Sequence, residues 1–291
     1  MTHRTIHKIS RKTEKHWVGN GFYVSSMFSY SQDTGISPFL LLDYAGPTDF
    51  SPSDDGPRGV EQHPHRGFET VTIVYSGEVE HRDTAGNTGK IGPGDVQWMT
   101  AASGVLHEEK HSAAFTKKGG TLEMVQLWVN LPAKDKMSAP RYQEILNQSI
   151  PIVKLDDNQS QIRLIAGQFN GKDGAAKTFT PIHLYDICLA ANSSLDIPIN
   201  SGFNALLFVM NGDISIESKS VQTNELAILG NEGDLVSLKA HKETKLLFMS
   251  GEAIDEPVVG MGPFVMNTQE EIYQAYNDFR SGKFGQINHQ D

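Results

Sequence analysis

The sequence contains one cysteine, Cys188, in 291 residues. A lone thiol cannot close an internal disulfide, so this fold relies on burial and hydrogen bonding, which suits a reducing compartment. Set in Ile187-Cys188-Leu189-Ala190, the thiol is expected to be buried and inert, the usual fate of free cysteine. No apolar run approaches the roughly 18 residues that a membrane helix needs. The start, Met1-Thr2-His3-Arg4-Thr5, is polar and carries no hydrophobic leader core. The expectation is a cytoplasmic chain with no membrane association. Basic residues are also short: 25 Lys and Arg against 35 Asp and Glu give a net charge of −10. That balance argues against direct nucleic-acid binding, which needs clustered Lys and Arg. The densest basic stretch (Arg4, Lys8, Arg11, Lys12, Lys15) reads as a solvated leader strand. With no basic nuclear-localisation run, a bacterial cytoplasm is favoured over a nucleus.

What is present is strand signal. Gly67-Phe68-Glu69-Thr70-Val71-Thr72-Ile73-Val74-Tyr75 is rich in β-branched and aromatic residues and ends at the turn Ser76-Gly77. The turn Gly92-Pro93-Gly94-Asp95 precedes the strand-like Val96-Gln97-Trp98-Met99. Leu122 to Leu131 is a further strand, stopped by Pro132, and the polar run from Ala133 to Pro140 reads as a linker. Recurrent turns between short strands predict an all-β sandwich or barrel.

The second half repeats the first. With Gly77 placed on Gly212, Gly67-Phe68 falls on Gly202-Phe203, and Tyr75-Ser-Gly-Glu-Val on Met210-Asn-Gly-Asp-Ile. The copy carries Pro198, Asn200 and Asn204 where the first half has His63, His65 and Glu69. The expectation is two tandem β-barrels, one holding a metal and one empty, in a chain that could stand alone as a monomer. Residues 1–132 form the first, 133–145 the linker, 146–252 the second and 253–291 an extension. In that extension Thr268-Gln269-Glu270-Glu271 is a capping-box pattern. Ile272, Ala275, Tyr276 and Phe279 follow at helical spacing and Gly282 suits the position after the helix, which predicts a helix over about 268–281.

The chemistry lies in two pairs at i, i+2 spacing: His63 and His65, then His107 and Glu109. Side chains two apart on a strand share a face. Two such pairs on neighbouring strands would aim three imidazoles and one carboxylate at one point. That donor set suits Fe(II), Mn, Co, Ni, Cu or Zn. Glu69 shares the parity of His63 and His65, so spacing leaves Glu69 and Glu109 both open as the carboxylate ligand. Glu108 is expected to point away from His107. His81 and His111 read as surface residues; His183 and His241 belong to the empty half.

These residues sit in specific motifs. His-x-His-x-x-x-Glu, then Pro-Gly-Asp and Gly-x-x-His, resembles the two metal motifs of the cupin superfamily. More narrowly, His63-Pro64-His65-Arg66-Gly67-Phe68-Glu69-Thr70-Val71-Thr72 resembles the pirin signature. So do Pro93-Gly94-Asp95-Val96-Gln97-Trp98-Met99-Thr100-Ala101, Gly104-Val105-Leu106-His107-Glu108-Glu109, Gln126-Leu127-Trp128-Val129-Asn130-Leu131-Pro132 and Gly262-Pro263-Phe264-Val265-Met266-Asn267-Thr268.

The resemblance implies an all-β fold of two cupin barrels with a short C-terminal helix. It also implies one divalent metal in the N-terminal barrel, Fe(II) favoured, held by His63, His65, His107 and Glu109. Glu69 would then orient a ligand from behind. The resemblance further implies cleavage of a flavonol by O2, in the manner of a quercetin 2,3-dioxygenase. Glu109 would be both ligand and base, with Phe68, Trp98, Met99, Gln126 and Trp128 as candidate pocket walls. The alternative it carries is an iron- and redox-dependent regulator acting through protein partners, as a transcription cofactor or a modulator of central metabolic enzymes. An apolar cavity at the metal favours the enzyme; a closed site beneath a charged face favours the regulator.

Overall fold

The structure is a computed structural model that describes residues 2–11, 14–32 and 35–287; Lys12 of the basic stretch lies outside them. The chain packs as two units. One comprises Glu14–Thr34, Phe39–Asn147 and Ile254–Asp291, the other Met1–Thr13, Gly35–Pro38 and Gln148–Ala253. Each contains an antiparallel sheet of seven strands and a second of four. The sheets are of the cupin kind but remain open, so neither unit is a closed barrel. Among the described residues no helix is long and apolar enough to cross a membrane.

In the first unit the large sheet runs Arg141–Ile145, Val96–Thr100, Phe68–Ser76, Gly120–Asn130, Phe39–Phe50, Phe22–Ser29, His16–Val18. The small sheet runs Gly59–His65, Val105–His111, Val79–Asp83, Thr88–Ile91. Val79 and Ile91 of the small sheet pack on Val24, Ala45, Val74 and Met124 of the large one. The duplication read from the sequence appears as topology. Phe203–Asn211 is third in the other large sheet, as Phe68–Ser76 is in the first, between Glu225–Leu229 and Thr244–Glu252. That unit has its own core, from Ile6 through Leu164, Leu207 and Phe248.

The expected boundaries at 1–132 and 133–145 differ from this packing. Ile6–Arg11 pairs with Glu225–Leu229 in the sheet of the C-terminal half. Arg141–Ile145, read as linker, is a strand on Val96–Thr100. Both segments fill the same edge of their respective sheets. An edge strand is selected by an open row of backbone donors and acceptors, which leaves little trace in its own side chains. Arg4, read as part of a solvated strand, is buried and donates to the carbonyls of Gly233 and Phe203. Cys188 is half-buried, not enclosed, and burial pushes its thiol up from the ordinary range.

The helix forms as Gln269–Arg280, with Thr268 and Glu271 making both bonds of the capping box. Gly282 adopts φ +78° just past its end. Ile272 and Ala275 are buried against Phe264, Met266, Leu106 and Phe284, while Phe279 stays 38% exposed. This extension therefore packs within the unit that carries the histidine pairs.

Candidate metal centre

Three of the predicted ligands come together. Val105–His111 pairs antiparallel with Gly59–His65 and sets His107 directly opposite His63, with Val105 opposite His65. The ring centroids of His63, His65 and His107 lie 4.3–4.8 Å apart. One ring nitrogen from each fits within a 4.8 Å cluster able to hold a metal ion. A register shift between His107 and Glu109 sets Glu109 opposite Val60. Such a bulge re-aims the strand: Val60, His63, His65 and Glu109 line one cavity, while Glu61 pairs with Lys110 at 3.0 Å. Glu108 also goes to Lys110, at 3.4 Å.

The hydrogen bonds assign the ring nitrogens. His63 Nδ1 donates to the Glu61 carbonyl at 2.8 Å, and His65 Nδ1 faces the Pro263 carbonyl at 3.4 Å. A carbonyl on Nδ1 puts the proton there and leaves Nε2 as a lone pair for a metal. His107 Nδ1 faces His81 Nδ1 at 3.5 Å, and His81 Nε2 donates to Asp83 Oδ2 at 3.1 Å. Asp83 is itself fixed by the Ala85 and Asn87 amides. His107 Nε2 is buried with no hydrogen-bond partner, a state that costs on the order of 1–3 kcal/mol unless something binds it. Burial, and then the neighbouring imidazoles, holds His65 and His107 well below the ordinary histidine range. Neutral rings are what metal ligation requires. These features together fit a divalent metal.

Glu109 Oε1 accepts from Thr72 Oγ1 at 3.1 Å and Gln97 Nε2 at 3.2 Å. Glu69, the other carboxylate left open by spacing, is buried elsewhere. It takes the Thr100 hydroxyl at 2.7 Å and lies 3.7 Å from Arg141. Burial pushes it up to about 7 against the pull of Thr100 and Arg141, and it does not line the histidine cavity.

That cavity has a volume of about 310 Å³ and is walled by Val18, Phe22, Val24, Leu41, Met124 and Trp128, among others. Of the predicted pocket residues, Gln126 and Trp128 line it. Phe68 instead stacks behind Trp128 at 4.3 Å and packs on His65. Trp98 and Met99 are fully buried and outside the lining. A residue on a strand cannot be assigned to wall or core until its facing sheet is known.

His81 and His111, expected at the surface, are both buried. His111 bonds the Gly21 carbonyl at 2.9 Å. His81 stacks on Tyr142 and backs His107. Sequence reading missed His81, Asp83, Thr72 and Gln97. For the first two a signal existed: His81 and Asp83 repeat the i, i+2 spacing of the ligand pairs.

Two cupin-type β units, one carrying a cluster of three histidines of which His65 and His107 are buried and His63 half-buried, define the class: a two-cupin protein with, among the described residues, a single candidate metal centre. The family is equally plain. The Pirin family profile matches residues 21–129 and the Pirin C-terminal cupin domain profile residues 184–285; the chain belongs to the pirin family. It is 52% identical to the Pseudomonas aeruginosa protein named "Putative quercetin 2,3-dioxygenase PA2418", over 93% of this chain and 94% of that one. To human pirin it is 36% identical, over 97% and 93%. Its fold matches the crystal structure of a quercetin 2,3-dioxygenase from Acinetobacter baumannii. That match has a TM-score of 0.95 and 46% identity, covering 99% of this chain and 100% of that one.

Proposed function

We propose that this chain binds one divalent transition metal through His63, His65, His107 and Glu109 and cleaves flavonols with O2, as a quercetin 2,3-dioxygenase does. The observation that carries this reading is the cavity: about 310 Å³ of largely apolar space opening onto His63, His65 and Glu109, at the small end of the range for small-molecule sites. The names of the Pseudomonas and Acinetobacter relatives point the same way. Fe(II) is the favoured ion; Ni, Mn, Co, Cu and Zn suit the same donors. The proposed setting is a bacterial cytoplasm, with the chain as a monomer.

The bound metal supplies a Lewis acid that makes the flavonol 3-hydroxyl acidic. The chain's residues do the rest. Thr72 and Gln97 hold Glu109 Oε1, so that the carboxylate, which lines the same cavity as His63 and His65, would complete the donor set and take the substrate proton. Glu109 accepts the 3-hydroxyl proton. The apolar walls exclude water and position the planar rings. The overall reaction balances as flavonol plus O2 giving a depside plus carbon monoxide, with both oxygen atoms retained in the depside.

The regulatory alternative, with a protein partner reading the metal's redox state, predicts a site closed to small molecules; an apolar cavity at the histidines speaks for the enzyme. The test is anaerobic loading of the apo protein with each metal, then exposure to O2 and quercetin. Quercetin loss and CO release that disappear in His63→Ala and Glu109→Ala are expected. Tight metal binding without turnover by any of the six metals would overturn the dioxygenase reading and favour the regulator.

A further inference from the structure

One polar row crosses the apolar face of the large sheet. Ser26 pairs with Asp43, Asp43 with Gln126, Gln126 with Thr72, and Thr72 with Gln97, so five adjacent strands carry a polar residue at one level. Along the same strands the inward neighbours are apolar: Val24, Leu41, Met124 and Trp128 line the cavity beside Asp43 and Gln126. Three members of the row have a use at Glu109: Thr72 and Gln97 hold it, and Gln126 Oε1, 2.7 Å from Thr72 Oγ1, shares that hydroxyl's one proton. Asp43 has none. Its Oδ1 takes the Ser26 hydroxyl at 2.5 Å, and its carboxyl faces an apolar cavity at a desolvation cost that a purely structural wall would avoid. Burial pushes the carboxyl up from the ordinary range, against the Ser26 bond.

We propose that Asp43, oriented by Ser26, is a subsite that hydrogen-bonds a hydroxyl group on the part of an aromatic ligand farthest from the histidines. Two strand spacings separate Asp43 from Thr72, which touches Glu109, a reach of ~10 Å. That is the span of a two- to three-ring phenol with one end at the metal. This inference rests on the cavity being the substrate site of the proposed function, and it narrows the substrate class to chelating aromatics that carry a distal hydroxyl.

The test uses the Zn(II)-loaded protein, which is redox-silent, titrated with quercetin and with 3-hydroxyflavone, which keeps the chelating oxygens but has no distal hydroxyl. Wild type is expected to prefer quercetin by roughly tenfold to a hundredfold, the range of a hydrogen bond to a charged group. Asp43→Leu should remove the preference while binding 3-hydroxyflavone as before. If Asp43→Leu does not fold, Asp43→Asn and Ser26→Ala carry the same test, each cutting the preference about tenfold. A preference that survives in these variants, or an equal loss for both ligands, overturns the subsite. A second arm separates this inference from the dioxygenase reading: the metal-free protein is titrated with 2-naphthol and 2-methylnaphthalene. A naphthol preference that Asp43→Leu removes sustains the subsite even where no flavonol binds. No naphthol preference in wild type overturns it.

Discussion

Arg66 Nη1 lies 3.0 Å from Asp278 Oδ2, across 212 residues of chain. The pair ties the residue after His65 to the last turn of the C-terminal helix. Arg66 is held further by the Ser103 carbonyl at 2.7 Å and by the face of Phe284, 4.7 Å from its guanidinium carbon. The same C-terminal segment supplies the Pro263 carbonyl that faces His65. The helix thus fixes the strand end that presents two of the three imidazoles.

Asp278→Ala leaves the Arg66 guanidinium buried without its carboxylate. A loss of about 3 kcal/mol is expected, the scale of a broken buried pair, together with weaker metal binding. Urea unfolding gives the first and metal titration the second. A lowered midpoint with unchanged metal affinity would mean that the helix does not position His65.

His81 and Asp83 are expected to tune the metal without touching it. Replacing either, as His81→Ala or Asp83→Asn, frees the His107 ring to rotate and should weaken metal affinity by roughly tenfold to a hundredfold. Competition against a chromogenic chelator measures this. An affinity within twofold of wild type would show that the 3.5 Å contact between His81 and His107 carries no orientation.

Glu69 makes stability depend on pH. Its folded value of about 7 lies above the unfolded value of 4.5, so the folded chain holds the proton more tightly between the two. Stability therefore falls as pH rises from about 4.5 to about 7 and is flat beyond, a total near ~3 kcal/mol at 1.36 kcal/mol per unit. Glu69→Gln, which stays neutral, should be the more stable protein at pH 8 and indistinguishable from wild type near pH 4. Denaturant midpoints at the two values decide it; a constant difference across pH would refute the assignment.

Metal stoichiometry should be one per chain. In the C-terminal half, Pro198 pairs with Leu235 as His63 pairs with His107, so a proline and a leucine stand at the two paired ligand positions. Elemental analysis of the loaded protein is expected to give about one equivalent and, for His63→Ala, well under half. Two equivalents in wild type would place an ion where the described residues offer no histidine cluster.

Much of this protein is legible in its amino-acid order. The i, i+2 pair His63/His65 and the strand partner His107 point to the convergent face because strand parity is a local rule; Glu109 lies past a register shift that its own segment does not announce. Thr268 and Glu271 mark the helix start for the same reason. The illegible parts are those set by partners distant in sequence. Arg141–Ile145 reads as a linker because an edge strand is chosen by the open sheet edge beside it. His81 reads as a surface residue because its burial depends on Tyr142, Gln97 and His107, brought there by three other strands.

The family, the all-β class, the duplication and the identity of the three clustered histidines follow from the order of residues alone, because motif spacing and side-chain alternation are properties of short segments. Three outcomes needed the folded chain: the N-terminal strand joins the second unit, Glu69 turns to Thr100 and Arg141, and Asp43 faces the cavity. Each depends on sheet register and facing, which arise from pairing residues tens to hundreds of positions apart.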